Sequence, residues 1–159
     1  SKTVAPGLRL GYLLLPPMLQ ARAREAEHHT TWYVTPLSMA LGTAWLEDGT
    51  AWRRLGAQRK ELAARHRLCA QNLHRLEWRG EPHCPHVWLP SPPGGPERFT
   101  RRALEAGVVV VPSEVFAATR AVQEPGLRIS IGAAPDRATL AQGLARLEAV
   151  AEALLSDGS

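Results

Sequence analysis

The chain has 159 residues, 45% of them hydrophobic, and a formal net charge of +4. This length suits one hydrophobic core with a smaller attached lobe and excludes two full-sized domains. Its 17 arginines are spread along the chain, which argues against a nucleic-acid-binding face, and no apolar run approaches the ~20 residues that span a bilayer. We expect a soluble, cytoplasmic protein whose two cysteines, Cys69 and Cys84, are reduced structural thiols.

The first predicted element is a strand at residues 8–15, where apolar side chains lie on both faces. Lys2 precedes this strand and is one of only two lysines, the other being Lys60. Arg9 lies within the strand, on the face opposite Leu8. A buried guanidinium needs an anionic partner, so Arg9 binds either a ligand anion or a carboxylate in a structural ion pair.

Proline and capping residues predict two helices after this strand. The first covers residues 17–27 and is followed by a break at residues 28–33. Thr35 as N-cap and Pro36 in the first turn predict the start of the second helix, which ends at Gly49.

The third predicted helix, residues 50–76, is the longest in the chain and suits a connection between two lobes. One stripe of its surface carries the side chains that we expect to be buried: Leu55, Leu62, His66, Cys69, Leu73 and Leu76.

Strands and helices alternate in the rest of the chain. Short strands are predicted at residues 87–89, 108–111 and 127–131. A helix over residues 97–106 and a final amphipathic helix from Asp136 can cover one face of the small sheet that these strands form.

The last of these strands separates one arginine from the apolar side chains. Leu127 and Ile129 point to one face, so Arg128 and Ser130 point to the other, away from the core and towards a cleft. An arginine in such a cleft can hold a ligand carboxylate through two parallel hydrogen bonds. A surface or ion-paired arginine is the alternative interpretation.

Three potential metal ligands, His83, Cys84 and His86, fall within four residues. A tetrahedral site needs a fourth ligand and a spacing that lets the side chains converge, and this segment offers neither. We therefore predict no metal site.

Four segments resemble one protein family in sequence and in order. SKTVAPGLR at residues 1–9 is similar to the lysine segment of fold-type I pyridoxal-phosphate aminotransferases, especially the aminotransferase-like domain of MocR regulators in the GntR superfamily. HVWLP at residues 86–90, GVVVVP at 107–112 with Phe116, and GLRISIG at 126–132 follow in the family's order. The resemblance covers nearly all of this chain but only the last part of the family's domain.

The resemblance implies an α/β fold, the C-terminal portion of a fold-type I aminotransferase. Residues 1–49 would be the C-terminal end of the large pyridoxal-phosphate-binding domain, a large-domain remnant. Residues 50–159 would be the small C-terminal domain, an α/β sandwich that includes the long connecting helix.

The resemblance also implies roles for three residues and one cofactor, pyridoxal 5'-phosphate. Lys2 would hold the cofactor aldehyde as an aldimine and then act as the catalytic base and acid, and Arg9 would hold the phosphate. Arg128 would bind the α-carboxylate of an amino acid or a related small carboxylate.

Three functions stay open at this point, and the resemblance to MocR regulators favours the first. The chain is a segment of a MocR regulator that senses a ligand, a segment of a free-standing class I/II amino-acid aminotransferase, or a structural piece that is inactive alone. In each case we expect no turnover by the 159 residues by themselves. The parent protein is expected to be a homodimer, and DNA would be bound only through an upstream winged-helix domain that these residues do not include.

Overall fold

The computed structural model of the protein describes residues 4–30, 34–118 and 124–157, without the side chains of residues 27–30. Internal contacts divide the chain into two units, Ser1–Gln58 (unit 1) and Arg59–Ser159 (unit 2). None of the described helices is both long and apolar enough to cross a membrane.

Unit 1 contains the helices that the proline and capping signals predict. Helix α1 spans Pro17–Thr30, three residues longer than expected, and α2 spans Pro36–Glu47. The Thr35 hydroxyl accepts a hydrogen bond from the backbone N–H of Ser38 at 3.3 Å, which confirms the predicted N-cap. The part of the predicted break at residues 31–33 lies outside the described residues.

The predicted strand at residues 8–15 is wrong. A short 3-10 helix, Pro6–Leu8, is followed by Arg9 at φ 52°, a left-handed conformation that no strand residue adopts. Leu14 is 99% exposed rather than buried. A strand buried on both faces needs neighbouring strands, and the described part of unit 1 supplies none, so the apolar pattern alone could not form one.

Helix α3 spans Thr50–Asn72 and ends four residues before the predicted end at residue 76. The backbone N–H of Arg75 donates to the Glu148 carboxylate at 2.8 Å, and this bond replaces the helical one to a carbonyl. Leu73 and Leu76 are nevertheless buried as expected, each with 4% of its surface exposed. The stripe is therefore confirmed from Leu62 onwards, whereas Leu55 is only half-buried, and its last turn is not helical.

The sheet of unit 2 has three short antiparallel strands: β1 at Val87–Leu89, β2 at Val111–Pro112 and β3 at Leu127–Ile129. Their order is β1-β3-β2, so β3 is the central strand. All three were expected, but two are shorter than predicted.

The shortening of β2 has a local cause. The backbone N–H of Val108 donates to the Ala103 carbonyl at 2.8 Å and closes the end of the preceding helix, so this N–H is not free to pair in the sheet. Strand β3 likewise ends at Ile129 instead of residue 131.

Two helices pack together against the sheet: α4 at Gly95–Glu105, which begins two residues earlier than predicted, and α5 at Arg137–Ser156. Asp136 caps α5 as expected, with its carboxylate accepting from the Thr139 N–H at 2.7 Å. The largest fully enclosed side chains of this core are Phe99, Leu89, Leu127, Ile131, Leu144, Leu147, Val87 and Cys69. Helices on a sheet confirm the α/β class.

One buried arginine joins α3 to the segment between β3 and α5. The Arg65 side chain is 8% exposed, and its Nη1 donates to the carbonyls of Ile131 and Ala134, both at 2.8 Å. Its Nε donates to Glu61 at 2.8 Å, and the same carboxylate accepts three further hydrogen bonds from Arg137. Hydrogen bonds from Arg137 and Arg65 lower the pKa of Glu61 from 4.5 to about 2.

Both cysteines are free. Cys69 is fully buried in the core, and burial raises the pKa of its thiol to about 11. The thiol therefore stays protonated at neutral pH and packs as a small apolar group.

Candidate functional site

The predicted site residues fall on different parts of the chain. Lys2 lies outside the described residues. Arg9 belongs to unit 1 and Arg128 to unit 2, so each is described within its own unit.

Arg9 lies on the surface at the end of the 3-10 helix, where its backbone N–H donates to Pro6 at 3.3 Å. It is the one non-glycine residue at positive φ among those described. An apolar cavity of about 270 Å³ lies beside this segment, lined by residues such as Leu10, Gly42 and Trp45. This apolar cavity is not suited to bind a phosphate, whereas the exposed guanidinium of Arg9 is, because it can donate hydrogen bonds to phosphate oxygens.

Arg128 lies at the middle of the central strand, opposite Trp88 of β1 and Val111 of β2. Its neighbours Leu127 and Ile129 are buried in the core, at 0% and 5% exposure. The predicted alternation is confirmed: Arg128 projects from the face of the sheet that does not carry these two core side chains, and it is half-buried there.

The guanidinium of Arg128 has no acceptor among the described residues. Its Nε is shielded from water without a hydrogen-bond partner. Its terminal nitrogens, Nη1 and Nη2, have no acceptor within the described ranges either.

Other arginines of the same unit have carboxylate partners, at 2.8 Å for Arg65 and 3.0 Å for Arg98. The described residues therefore give no support to a structural ion pair for Arg128. Its charge and fork geometry suit an anionic ligand with two oxygens.

One aromatic residue completes the surroundings of Arg128. The guanidinium carbon lies 4.2 Å from the centroid of the Phe116 ring, in a cation–π arrangement. From the sequence, Phe116 was noted only as part of a segment that resembles the family, and no role was predicted for it. Nothing in local spacing joins residues 116 and 128, because the contact depends on the pairing of β2 with β3.

A polar pair continues the same face of the sheet. The Ser130 hydroxyl and His86 Nδ1 are 3.2 Å apart, and both residues are half-buried. No group of three or more His, Cys, Asp or Glu side chains that could hold a metal occurs in the described part of the chain.

The chain matches one family profile. The profile described as aminotransferase class I and II matches residues 1–147. None of the curated proteins matches the chain.

Several solved structures are similar to the chain. The α-aminoadipate aminotransferase LysN from Thermus thermophilus, complexed with N-(5'-phosphopyridoxyl)-L-leucine, is 27% identical with a TM-score of 0.81, and the match covers 98% of this chain and 41% of that one. Kynurenine aminotransferase from Pyrococcus horikoshii, in complex with PMP, is 22% identical with a TM-score of 0.82, covering 96% and 39%. The multiple substrate aminotransferase from Thermococcus profundus is 21% identical with a TM-score of 0.81, covering 98% and 40%.

These matches confirm the predicted fold, an α/β chain that corresponds to part of a fold-type I aminotransferase. The chain spans about two fifths of the length of the solved structures it matches. The likeness to the Pyrococcus and Thermococcus proteins is one of fold alone.

Proposed function

The chain belongs to the aminotransferase class I and II family, and on that premise we propose that it is the C-terminal part of a pyridoxal-phosphate-dependent amino-acid aminotransferase. The observation that carries the proposal is Arg128, a half-buried guanidinium on the central strand with no acceptor among the described residues. A carboxylate ligand would supply the hydrogen-bond acceptor that none of the described residues provides for Arg128. The ligand class is therefore an amino acid or a related small carboxylate.

The donor set fits the cofactor in its chemistry. Pyridoxal phosphate supplies an aldehyde and an electron-withdrawing ring that stabilises negative charge on the substrate's α-carbon. Lys2 would supply the primary amine that bonds to the aldehyde, and Arg9, exposed and permanently charged, would bind the phosphate. Once released by substrate, the Lys2 amine would move the α-proton, as base and then as acid.

The domain assignment follows from the same proposal. Residues 1–49 would close the large cofactor-binding domain, and residues 50–159 would form the small domain with its connecting helix. The parent protein would be a homodimer, as the family resemblance implies, and light scattering of the full-length protein should give the mass of two chains.

A MocR-type regulator is the second candidate. The amino-acid sequence of residues 1–9 and 86–90 favours the regulator. The similar solved structures are described as aminotransferases, however, and this supports the enzyme better. The full-length protein separates the two: we expect it to transfer an amino group from an L-amino acid to a 2-oxo acid, which mass spectrometry detects as a new amino acid. Specific DNA binding without any turnover would favour the regulator instead.

The role of Lys2 can be tested with the other lysine as control. In the full-length protein, Lys2→Ala should abolish the visible absorbance of bound pyridoxal phosphate, because the amine that reacts with the aldehyde is removed. Lys60→Ala should leave this absorbance unchanged. Borohydride reduction followed by peptide mapping should label Lys2, and a label on any other residue would refute the assignment.

Arg128 is tested by a change that keeps its charge. Arg128→Lys should weaken amino-acid binding roughly 30-fold or more, the equivalent of ~2 kcal/mol, because an ammonium cannot make two parallel hydrogen bonds to a carboxylate. The cofactor spectrum should not change. Arg98→Lys, on a surface ion pair with Asp157, is the matched control and should bind as the wild type does. Unchanged affinity in Arg128→Lys would make Arg128 a surface residue.

A further inference from the structure

The contact between Phe116 and Arg128 is not explained by the hydrophobic core. Phe116 is 47% exposed and does not belong to the cluster of buried side chains. A half-exposed phenylalanine gains little from burial, so its placement 4.2 Å from the guanidinium carbon needs another reason.

The backbone holds Phe116 in place relative to the strand that carries Arg128. Ser113, 5% exposed, donates its N–H to the Gly126 carbonyl at 3.0 Å and accepts from the Gly126 N–H through its hydroxyl at 3.3 Å. The Phe116 N–H then donates to the Ser113 carbonyl at 2.9 Å and closes a short 3-10 helix, Ser113–Val115. Through Ser113, the backbone of Phe116 is thus connected by hydrogen bonds to Gly126, which lies two residues before Arg128.

This attachment determines which part of Arg128 a ligand can reach. The guanidinium carbon lies over the Phe116 ring, and Nε is shielded from water. Nη1 and Nη2 have no acceptor within the described ranges, so a ligand would bind at this end of the fork. A carboxylate would therefore approach end-on and in the plane of the guanidinium, which is the geometry of two parallel hydrogen bonds.

We propose that Phe116 is a positioning residue, which holds the Arg128 guanidinium in one orientation for end-on binding of the ligand carboxylate. This inference rests on the proposed function of Arg128. An arginine side chain that is already ordered loses less conformational freedom when the ligand binds. The aromatic face also excludes water from one side of the charge and so reduces screening by salt.

The test uses the full-length protein with its cofactor. All twenty proteinogenic L-amino acids are first titrated against the wild type, and the one that changes the cofactor spectrum most becomes the probe. Phe116→Leu should weaken its binding about 3- to 10-fold, the loss expected when a cation–π platform is removed. Phe116→Tyr should restore affinity to within about 2-fold of the wild type, because a π face is present again.

Two further readouts separate positioning from simple packing. Binding by Phe116→Leu should fall more steeply between 50 and about 500 mM salt than binding by the wild type, since the charge is more exposed to screening. Phenylglyoxal should also modify Arg128 faster in Phe116→Leu, as measured by peptide mapping, and the probe amino acid should protect it. Phe116→Met, which introduces a flexible apolar side chain, should behave like Phe116→Leu. It takes the place of Phe116→Leu in these measurements if the leucine variant does not fold.

Val115→Ala is the matched control, because Val115 is the neighbouring apolar residue and is 67% exposed. It should match the wild type in every readout. Wild-type affinity in Phe116→Leu, with weakened binding in Arg128→Lys, would overturn the positioning role and leave the proposed function intact. No effect of Arg128→Lys would instead remove the proposed function itself, and the inference with it.

Discussion

One carboxylate, Glu61, is shared by two arginines in unit 2. Arg65 is almost fully buried and Arg137 is exposed, and both donate to it. The folded pKa of about 2 lies below the ordinary value of 4.5. The carboxylate therefore stabilises the fold fully above about pH 4.5, and this contribution is lost as the pH falls towards 2.

We expect Glu61→Gln to lower the free energy of unfolding by about 1 kcal/mol at pH 7, because the charged partner of Arg65 and Arg137 is lost while solvent screens part of the effect. At pH 2 the variant and the wild type should be equally stable. Urea unfolding between pH 7 and pH 2 measures this difference.

Glu105→Gln provides the comparison, since Glu105 pairs with Arg102 on the surface of α4 at 3.3 Å. We expect it to change stability little at any pH. A pH profile of Glu61→Gln that runs parallel to the wild type would show that the shared carboxylate does not titrate as inferred.

At the residue scale, the sequence predicted what strand alternation determines. The direction of Arg128 follows from the period of two in a strand, and the structure agrees. The burial of Arg65 and the place of Phe116 do not follow from any local period. Both depend on contacts 66 and 12 residues distant along the chain, such as Arg65 to Ile131.

At the scale of elements, the close approach of β1 and β3 depends on one glycine. A Cβ at Gly126 would lie 2.6 Å from the Leu89 carbonyl oxygen and 2.6 Å from the Trp88 ring. The backbone of Leu89 cannot move aside without disturbing the pairing of β1 with β3. The end of this strand pair therefore requires a residue without a side chain.

Gly126→Ala should accordingly lower the free energy of unfolding by ~1–3 kcal/mol, because the added methyl group overlaps fixed backbone. The same substitution at Gly143, in the middle of α5, should raise it by ~0.5–1 kcal/mol, because a Cβ added there would meet nothing within 4 Å. Thermal or urea unfolding of the two variants measures both signs. Equal effects at the two positions would contradict this account.

Helices were predicted more accurately than strands for a physical reason. A helix satisfies its own backbone, and its ends are marked by local residues such as Thr35 and Asp136. A strand exists only where another strand pairs with it. Residues 8–15 have a strand-like pattern but no partner strand among the described residues of unit 1, and the sequence pattern could not reveal this.

At the scale of the whole molecule, the buried apolar side chains are distributed unevenly. Every hydrophobic side chain that is buried among the described residues lies between Leu62 and Leu154, within unit 2. In unit 1, by contrast, Leu14, Met18 and Leu37 are 99%, 81% and 79% exposed. Stability that comes from burial is therefore confined to unit 2.

Amide hydrogen exchange of the 159-residue chain should show this division. We expect the protection factors of amides in β3, α4 and α5 to exceed those in α1 and α2 by about 100-fold or more. Exchange in β3, α4 and α5 requires opening of the core. Mass spectrometry of peptides from each helix measures it. Equal protection of α2 and α5 would mean that unit 1 has a stabilising core of its own.

The anchor made by Arg65 has a mechanical consequence. Its guanidinium donates a hydrogen bond to the Ile131 carbonyl. Ile131 lies three residues after Arg128, about 10 Å along an extended chain. Because these hydrogen bonds are short and shielded from water, they fix the backbone that follows the central strand against the C-terminal half of α3. The position of the strand that carries Arg128 therefore depends on a side chain from α3.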